Sequence, residues 1–152
     1  MSDKEQQAQP NFFIQKVYSK DMSFEVPNAP EMFKLNWQPQ TNVEIHTNFS
    51  KLEENIYEID LSLTVTAKNQ NQTAFIAEIK QTGIFTITGI ADEQMGHMLG
   101  SYCPNILFPY AKESISAMVT KGGLPLINLA PVNFDALYAQ NLAKQQEEAT
   151  KH

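Results

Sequence analysis

Residues 55–67 read NIYEIDLSLTVTA. Tyr57, Ile59, Leu61, Leu63 and Val65 fall on one parity; Glu58, Asp60, Ser62, Thr64 and Thr66 fall on the other. Successive side chains of a strand point to opposite faces, so strict alternation marks a β-strand with one face buried. A polar turn, KNQNQ, follows at residues 68–72. The alternation then resumes in TAFIAEIKQTGIFTITGI, residues 73–90, with Phe75, Ala77, Ile79, Phe85 and Ile87 set against Ile76, Glu78, Lys80 and Thr82. Gly83 within that run signals a bulge or a close backbone approach. Upstream, TNVEIHTNFSK sets Val43, Ile45, Thr47 and Phe49 against Glu44, His46 and Asn48. Strands joined by short polar turns imply an antiparallel sheet with one covered and one wetter face.

Further out, NFFIQKVYSKDMSFEV (residues 11–26) reads as a first strand. Pro27 and Pro30 end it and open a long connection, since neither suits a central strand. That connection carries Met32, Phe33, Leu35 and Trp37, an apolar load unusual for a loop. After residue 90 the period changes. Asp92 is placed to cap a helix with Glu93 in its first turn. Met95, Met98, Leu99, Tyr102, Ile106 and Tyr110 then recur at spacings of three or four. Pro104 and Pro109 fall inside this helix, and an interior proline costs about 3 kcal/mol. One bent helix or two abutting ones are therefore expected, ending at Gly122-Gly123 in a left-handed stop. Asn133 can cap a last, shorter helix bearing Phe134, Leu137, Tyr138 and Leu142. The expectation is one α+β domain over residues 1–152, a four-stranded antiparallel sheet and then two helices, with residues 1–11 and 143–152 as flexible tails.

Composition narrows the function. The chain has 152 residues, 11 basic against 17 acidic side chains and a net charge of −6. No Lys/Arg-rich face suggests nucleic-acid binding. One Cys excludes an internal disulfide framework, and with three scattered His residues there is no metal-site spacing. No signal core or membrane-spanning run is present, so a soluble cytoplasmic protein is expected, without membrane insertion. The glycines form no phosphate-binding pattern, and no cofactor is expected.

The one thiol, Cys103, lies six residues after His97. At 100° per residue that spacing puts them on nearly opposite sides of a helix. A nucleophilic Cys needs a base within reach and a lowered pKa, so Cys103 reads as a small packing residue and no catalytic residue is assigned. The apolar surplus is more informative: it exceeds what a small sheet and two helices readily bury, and suggests a subunit interface or an exposed groove.

The segments KDMSFEVPNAP, NWQP, TAFIAEI, GIFTITGI, SYCPNILFPYA and LAPVNFDALY occur here in this order. Together they resemble the SecB family of bacterial export chaperones over roughly residues 12 to 142. The resemblance implies a homotetramer, a dimer of dimers, with first strands pairing between subunits and the long helix between dimers. Val17, Met95, Met98, Leu99, Tyr102, Cys103 and Ile106 are the implied subunit contacts. It further implies an ATP-independent holdase for unfolded precursor proteins, which are then delivered to the motor SecA. The implied client groove takes Trp37, Val43, Ile45, Phe75, Tyr138 and Leu142. The implied SecA-binding face takes Asp21, Glu25, Ile76 and Glu78. Its partner is the zinc-containing C-terminal segment of SecA, so the metal belongs to the partner. Two rivals are weighed against this: a lipid-binding module using the cleft between sheet and helix, and an enzyme using Cys103.

Overall fold

The structure, a computed structural model, describes residues 10–150. The tail residues 1–9 and 151–152 lie outside the described residues. Four strands, β1 (Asn11–Glu25), β2 (Pro39–Glu53), β3 (Ile56–Asn69) and β4 (Gln72–Thr88), form one antiparallel sheet in the order β1-β4-β3-β2. A single helical run follows: α1 (Asp92–His97), a π-helical turn (Met98–Tyr102) and α2 (Cys103–Lys121). Helix α3 (Phe134–Thr150) closes the chain. This is the expected α+β order.

The alternation at residues 55–67 is the axis of the fold. Ile59, Leu61, Leu63 and Val65 are fully buried beneath the helices, and Phe75, Ala77, Ile79, Phe85 and Ile87 join them from β4. Two-residue turns keep the strands in register. Gln70 and Asn71 both take positive φ, 52° and 65°, as a type I′ hairpin requires. Gly83 proves to be a close approach rather than a bulge. A methyl group there would come 2.6 Å from the Phe85 ring and 3.0 Å from Leu107 of α2. The long connection from β1 to β2 crosses to the far edge of the sheet and is pinned by Asn69. Its side chain donates to Asn36 O (3.0 Å) and accepts from the Gln38 amide (2.9 Å). The one turn of 3-10 helix in that connection, Glu31–Lys34, drops Met32 into the core.

The prolines do not divide the helix. Pro104 falls in the first turn of α2, just after the π turn, and the Cys103 amide donates to Met98 O, five residues back. The wide turn absorbs the irregularity as an inserted residue would. Asp92 is not the cap: Ala91 occupies that position, and Asp92 and Glu93 act as first-turn charges against the helix dipole. The stop is as expected. Gly123 has φ 77°, and the Leu124 and Gly123 amides donate to Val119 O and Thr120 O, a Schellman arrangement. Asn133 does cap α3, its Oδ1 accepting from the Ala136 amide at 3.0 Å. Helix α3 continues through residues 143–150, where a tail is expected from sequence. All of those residues are exposed; Ala, Lys, Gln and Glu favour a helix without any packing to hold it.

Candidate functional site: an apolar groove and an acidic sheet face

Edge strand β2, the start of the long helix and α3 enclose an open groove of about 580 Å³. Ile45 and Phe49 come from β2, Gly96 and Gly100 from the long helix, and Tyr138 and Leu142 from α3; His46, Thr47 and Asn48 of β2 and Asn141, Lys144, Gln145 and Glu148 of α3 add a polar share at least as large. Period-2 spacing brings Ile45 and Phe49 to the helix side of the sheet; helical spacing of four brings Tyr138 and Leu142 to one face of α3. Phe49 is 51% exposed and Leu142 39%, so the groove offers apolar surface without a cover.

Of the six expected groove residues, the structure therefore joins Ile45, Tyr138 and Leu142. Val43 lies on the same face of β2, 40% exposed, and Trp37 is half-buried on the connection; neither lines this groove. Phe75 is a correction. It is completely buried, its ring tilted against that of Phe24 with centroids 6.0 Å apart, and offers no surface to a ligand. Phe49, Gly96 and Gly100 are the nonpolar lining residues that sequence reasoning missed, along with the polar ones. The alternation Val43, Ile45, Thr47, Phe49 already put Phe49 on the right face.

The opposite face of the sheet is polar. The register pairs Ser23 with Glu78 and Glu25 with Ile76, and sets Asp21 against Lys80, so all four residues of the expected acidic face share one side. A β-bulge between Ser19 and Asp21 sends both Lys20 and Asp21 to that side. Lys20 reaches across to Glu58 (2.5 Å) and Asp60 (3.5 Å), and the Tyr18 hydroxyl donates to Glu58 at 2.9 Å. The Lys20 contact, then that of Tyr18, holds the Glu58 carboxyl below its ordinary range. The same contact pushes Lys20 up. Asp21, Glu25 and Glu78 make no ion pair among the described residues; Glu78 only accepts a hydrogen bond from Ser23 at 3.2 Å. These three carboxylates stand on the sheet face without a salt-bridge partner, with Lys80 opposite Asp21.

The residues expected at subunit contacts divide. Tyr102 is exposed, and Val17, Met95, Met98 and Ile106 are half-buried, with surface to offer. Leu99 and Cys103 are corrections: at 3% and 0% exposure they face the chain's own sheet, because that side of the helix packs on β3 and β4. Burial pushes the Cys103 thiol up to about 12, away from a reactive thiolate. His97 instead contacts α3, 2.7 Å from Asp135 Oδ1, which also accepts from Ser101 Oγ. Ser, His and Asp here do not form a nucleophilic relay. That relay needs histidine in the middle, whereas both donors converge on the carboxylate and Ser101 is buried. The Ser101 hydroxyl, then His97, holds the Asp135 carboxyl below its ordinary range. This is a clasp between helices. Among the described residues no group of three or more His, Cys, Asp or Glu side chains could hold a metal ion, and no helix is long and apolar enough to cross a membrane.

An uncovered groove between an edge strand and a helix, with exposed apolar side chains on both walls, has a shape suited to an extended chain. The fold agrees: a SecB-like chaperone of Mycobacterium tuberculosis, solved in complex with a peptide from an antitoxin, superposes with a TM-score of 0.66. The match covers 80% of this chain and 90% of that one at 15% identity. The family described as "Preprotein translocase subunit SecB" matches residues 5–145. "Protein-export protein SecB" of Marinobacter nauticus is 54% identical over 145 residues, which is 95% of this chain and 88% of that protein. The chain belongs to the SecB family, and it is a chaperone in protein export.

Proposed function

We propose that the groove holds extended, unfolded precursor segments and that the acidic sheet face passes them to SecA. The observation that carries this is the pairing of an open groove bearing exposed apolar side chains on one side of the sheet with unpaired carboxylates on the other. Apolar burial is worth about 25 cal/mol per Å² and needs no client sequence code. Ile45, Phe49 and Leu142 supply such surface, and Val43 adds to it along the same face of β2. A holdase of this kind binds the unfolded state and opposes folding by mass action, without ATP. Asp21, Glu25 and Glu78 around Ile76 form an acidic rim with an apolar centre, suited to the basic zinc-containing C-terminal segment of SecA. The half-buried Val17, Met95, Met98 and Ile106, with exposed Tyr102, are proposed to close a homotetramer in the cytoplasm.

The charge-reversed variant Glu78→Lys tests the division of labour. SecA affinity should fall at least about tenfold, the equivalent of 1.4 kcal/mol, while affinity for an unfolded precursor stays within twofold. Unchanged SecA affinity would remove the acidic face from the reading.

A further inference from the structure

Helix α3 meets the long helix along a short seam, and the seam is built around Tyr138. A methyl group placed on Gly96 would lie 2.5 Å from the Tyr138 hydroxyl oxygen. One placed on Gly100 would lie 2.6 Å and 2.8 Å from ring atoms Cδ2 and Cε2. Neither approach is possible for a real Cβ. Residues four apart share a helix face, so the two glycines form one slot, with the hydroxyl over the first and the ring over the second. The His97 ring closes it edge-on, 5.9 Å from the tyrosine ring at 80°. One turn earlier on α3, Asp135 ties the same seam to His97 and Ser101.

Glycine within a helix is disfavoured relative to alanine. Two of them bracketing the entry to a π turn therefore call for a compensating contact, and the slot supplies it. The same three residues also line the groove between α3 and β2. We propose that Gly96 and Gly100 are a seat for Tyr138 that fixes how far α3 stands from β2, and thereby the bore of the client groove. Tyr138 is then a positioning residue committed to the seat, and Ile45, Phe49 and Leu142 are left as the groove's apolar contacts. The proposal rests on the groove being the client site.

The chemistry makes the seat testable by rescue. Gly96→Ala collides with the hydroxyl alone, so Tyr138→Phe relieves it. Gly100→Ala collides with the ring, so Tyr138→Phe does not. The full chain would be compared as wild type, both alanine variants, Tyr138→Phe and the two double variants. Two readouts apply: affinity for reduced, carboxymethylated α-lactalbumin, and the ring-current shift of the Gly100 α protons, or of the introduced methyl group in the Gly100→Ala variants. Melting temperature adds a test of sign, because alanine raises it at a helical glycine with free space and lowers it at a filled seat.

Gly96→Ala is expected to lower the melting temperature, displace the Gly100 resonance and weaken client binding about fivefold. Gly96→Ala/Tyr138→Phe is expected to restore all three, and Gly100→Ala/Tyr138→Phe to restore none. A raised melting temperature in Gly96→Ala, failure of the first double variant to recover, or equal recovery of both would overturn the seat. If wild type does not bind the unfolded probe, the client reading fails, and the proposed control of client binding fails with it. The melting temperature and resonance shift then still decide whether Tyr138 is seated on the two glycines.

Discussion

Phe75→Ala separates a core role from a groove role. The side chain has no exposed surface and packs against Phe24, which itself covers Gly122 at the end of α2. Removing the ring forfeits its transfer free energy and leaves a cavity that the sheet and connection only partly fill. Such substitutions cost about 3–5 kcal/mol. For a chain of this size each kcal/mol shifts the melting temperature by about 2–4 °C, so a loss of roughly 6–20 °C is expected. The assay is calorimetry or circular dichroism at fixed protein concentration, because assembly also contributes to apparent stability. Affinity for an unfolded client, measured well below the transition, should remain within twofold. A melting temperature within about 2 °C of wild type, joined to a tenfold loss of client affinity, would refute the placement of Phe75 in the core.

Two other perturbations have a definite sign. Cys103 should resist alkylation by iodoacetamide at pH 8 while the chain is folded and react fully in guanidinium, because burial lifts its pKa to about 12; rapid labelling of the folded chain would contradict that burial. The Glu58 carboxyl is depressed by Lys20 and Tyr18, so its contribution to stability is complete above the ordinary carboxyl range and is lost as pH falls through its folded value. Glu58→Gln should therefore flatten the acid side of the stability profile, seen as a smaller difference between melting temperatures at neutral and acid pH than in wild type. An unaltered acid limb would mean that the Lys20 contact does not persist in solution.

The four strands, both hairpins, the stop at Gly122-Gly123 and the Asn133 cap are legible in sequence because each rests on local rules: parity, turn chemistry and backbone freedom. That Ile76 and Glu78 share the face opposite Phe75 and Ala77 is legible for the same reason, whereas Asp21 and Glu25 are assigned to that face from the family resemblance. Which apolar residues stay exposed is not a local property. Leu99 and Cys103 share the helical stripe of Met95 and Ile106, and only the docking of that helix on β3 and β4 divides buried from accessible. Phe75 fails likewise, because Phe24 of β1, some fifty residues away in sequence, packs against it. The prolines leave one helix or two open in sequence, and the run proves continuous, with a π turn just ahead of Pro104. Gly96 and Gly100 read only as missing motif glycines until Tyr138, some forty residues away, is seen against them.

The central claim is that the chain, as an assembly of its copies, binds unfolded polypeptide and keeps it unfolded. Light scattering of the purified protein, alone and with a precursor diluted from denaturant, measures both parts at once. A mass near four times 17.2 kDa is expected, rising by one precursor mass in a stable complex when the unfolded chain is added, with no change when the precursor is folded beforehand. A monomeric mass at micromolar concentration, or equal binding of folded and unfolded precursor, would contradict the account.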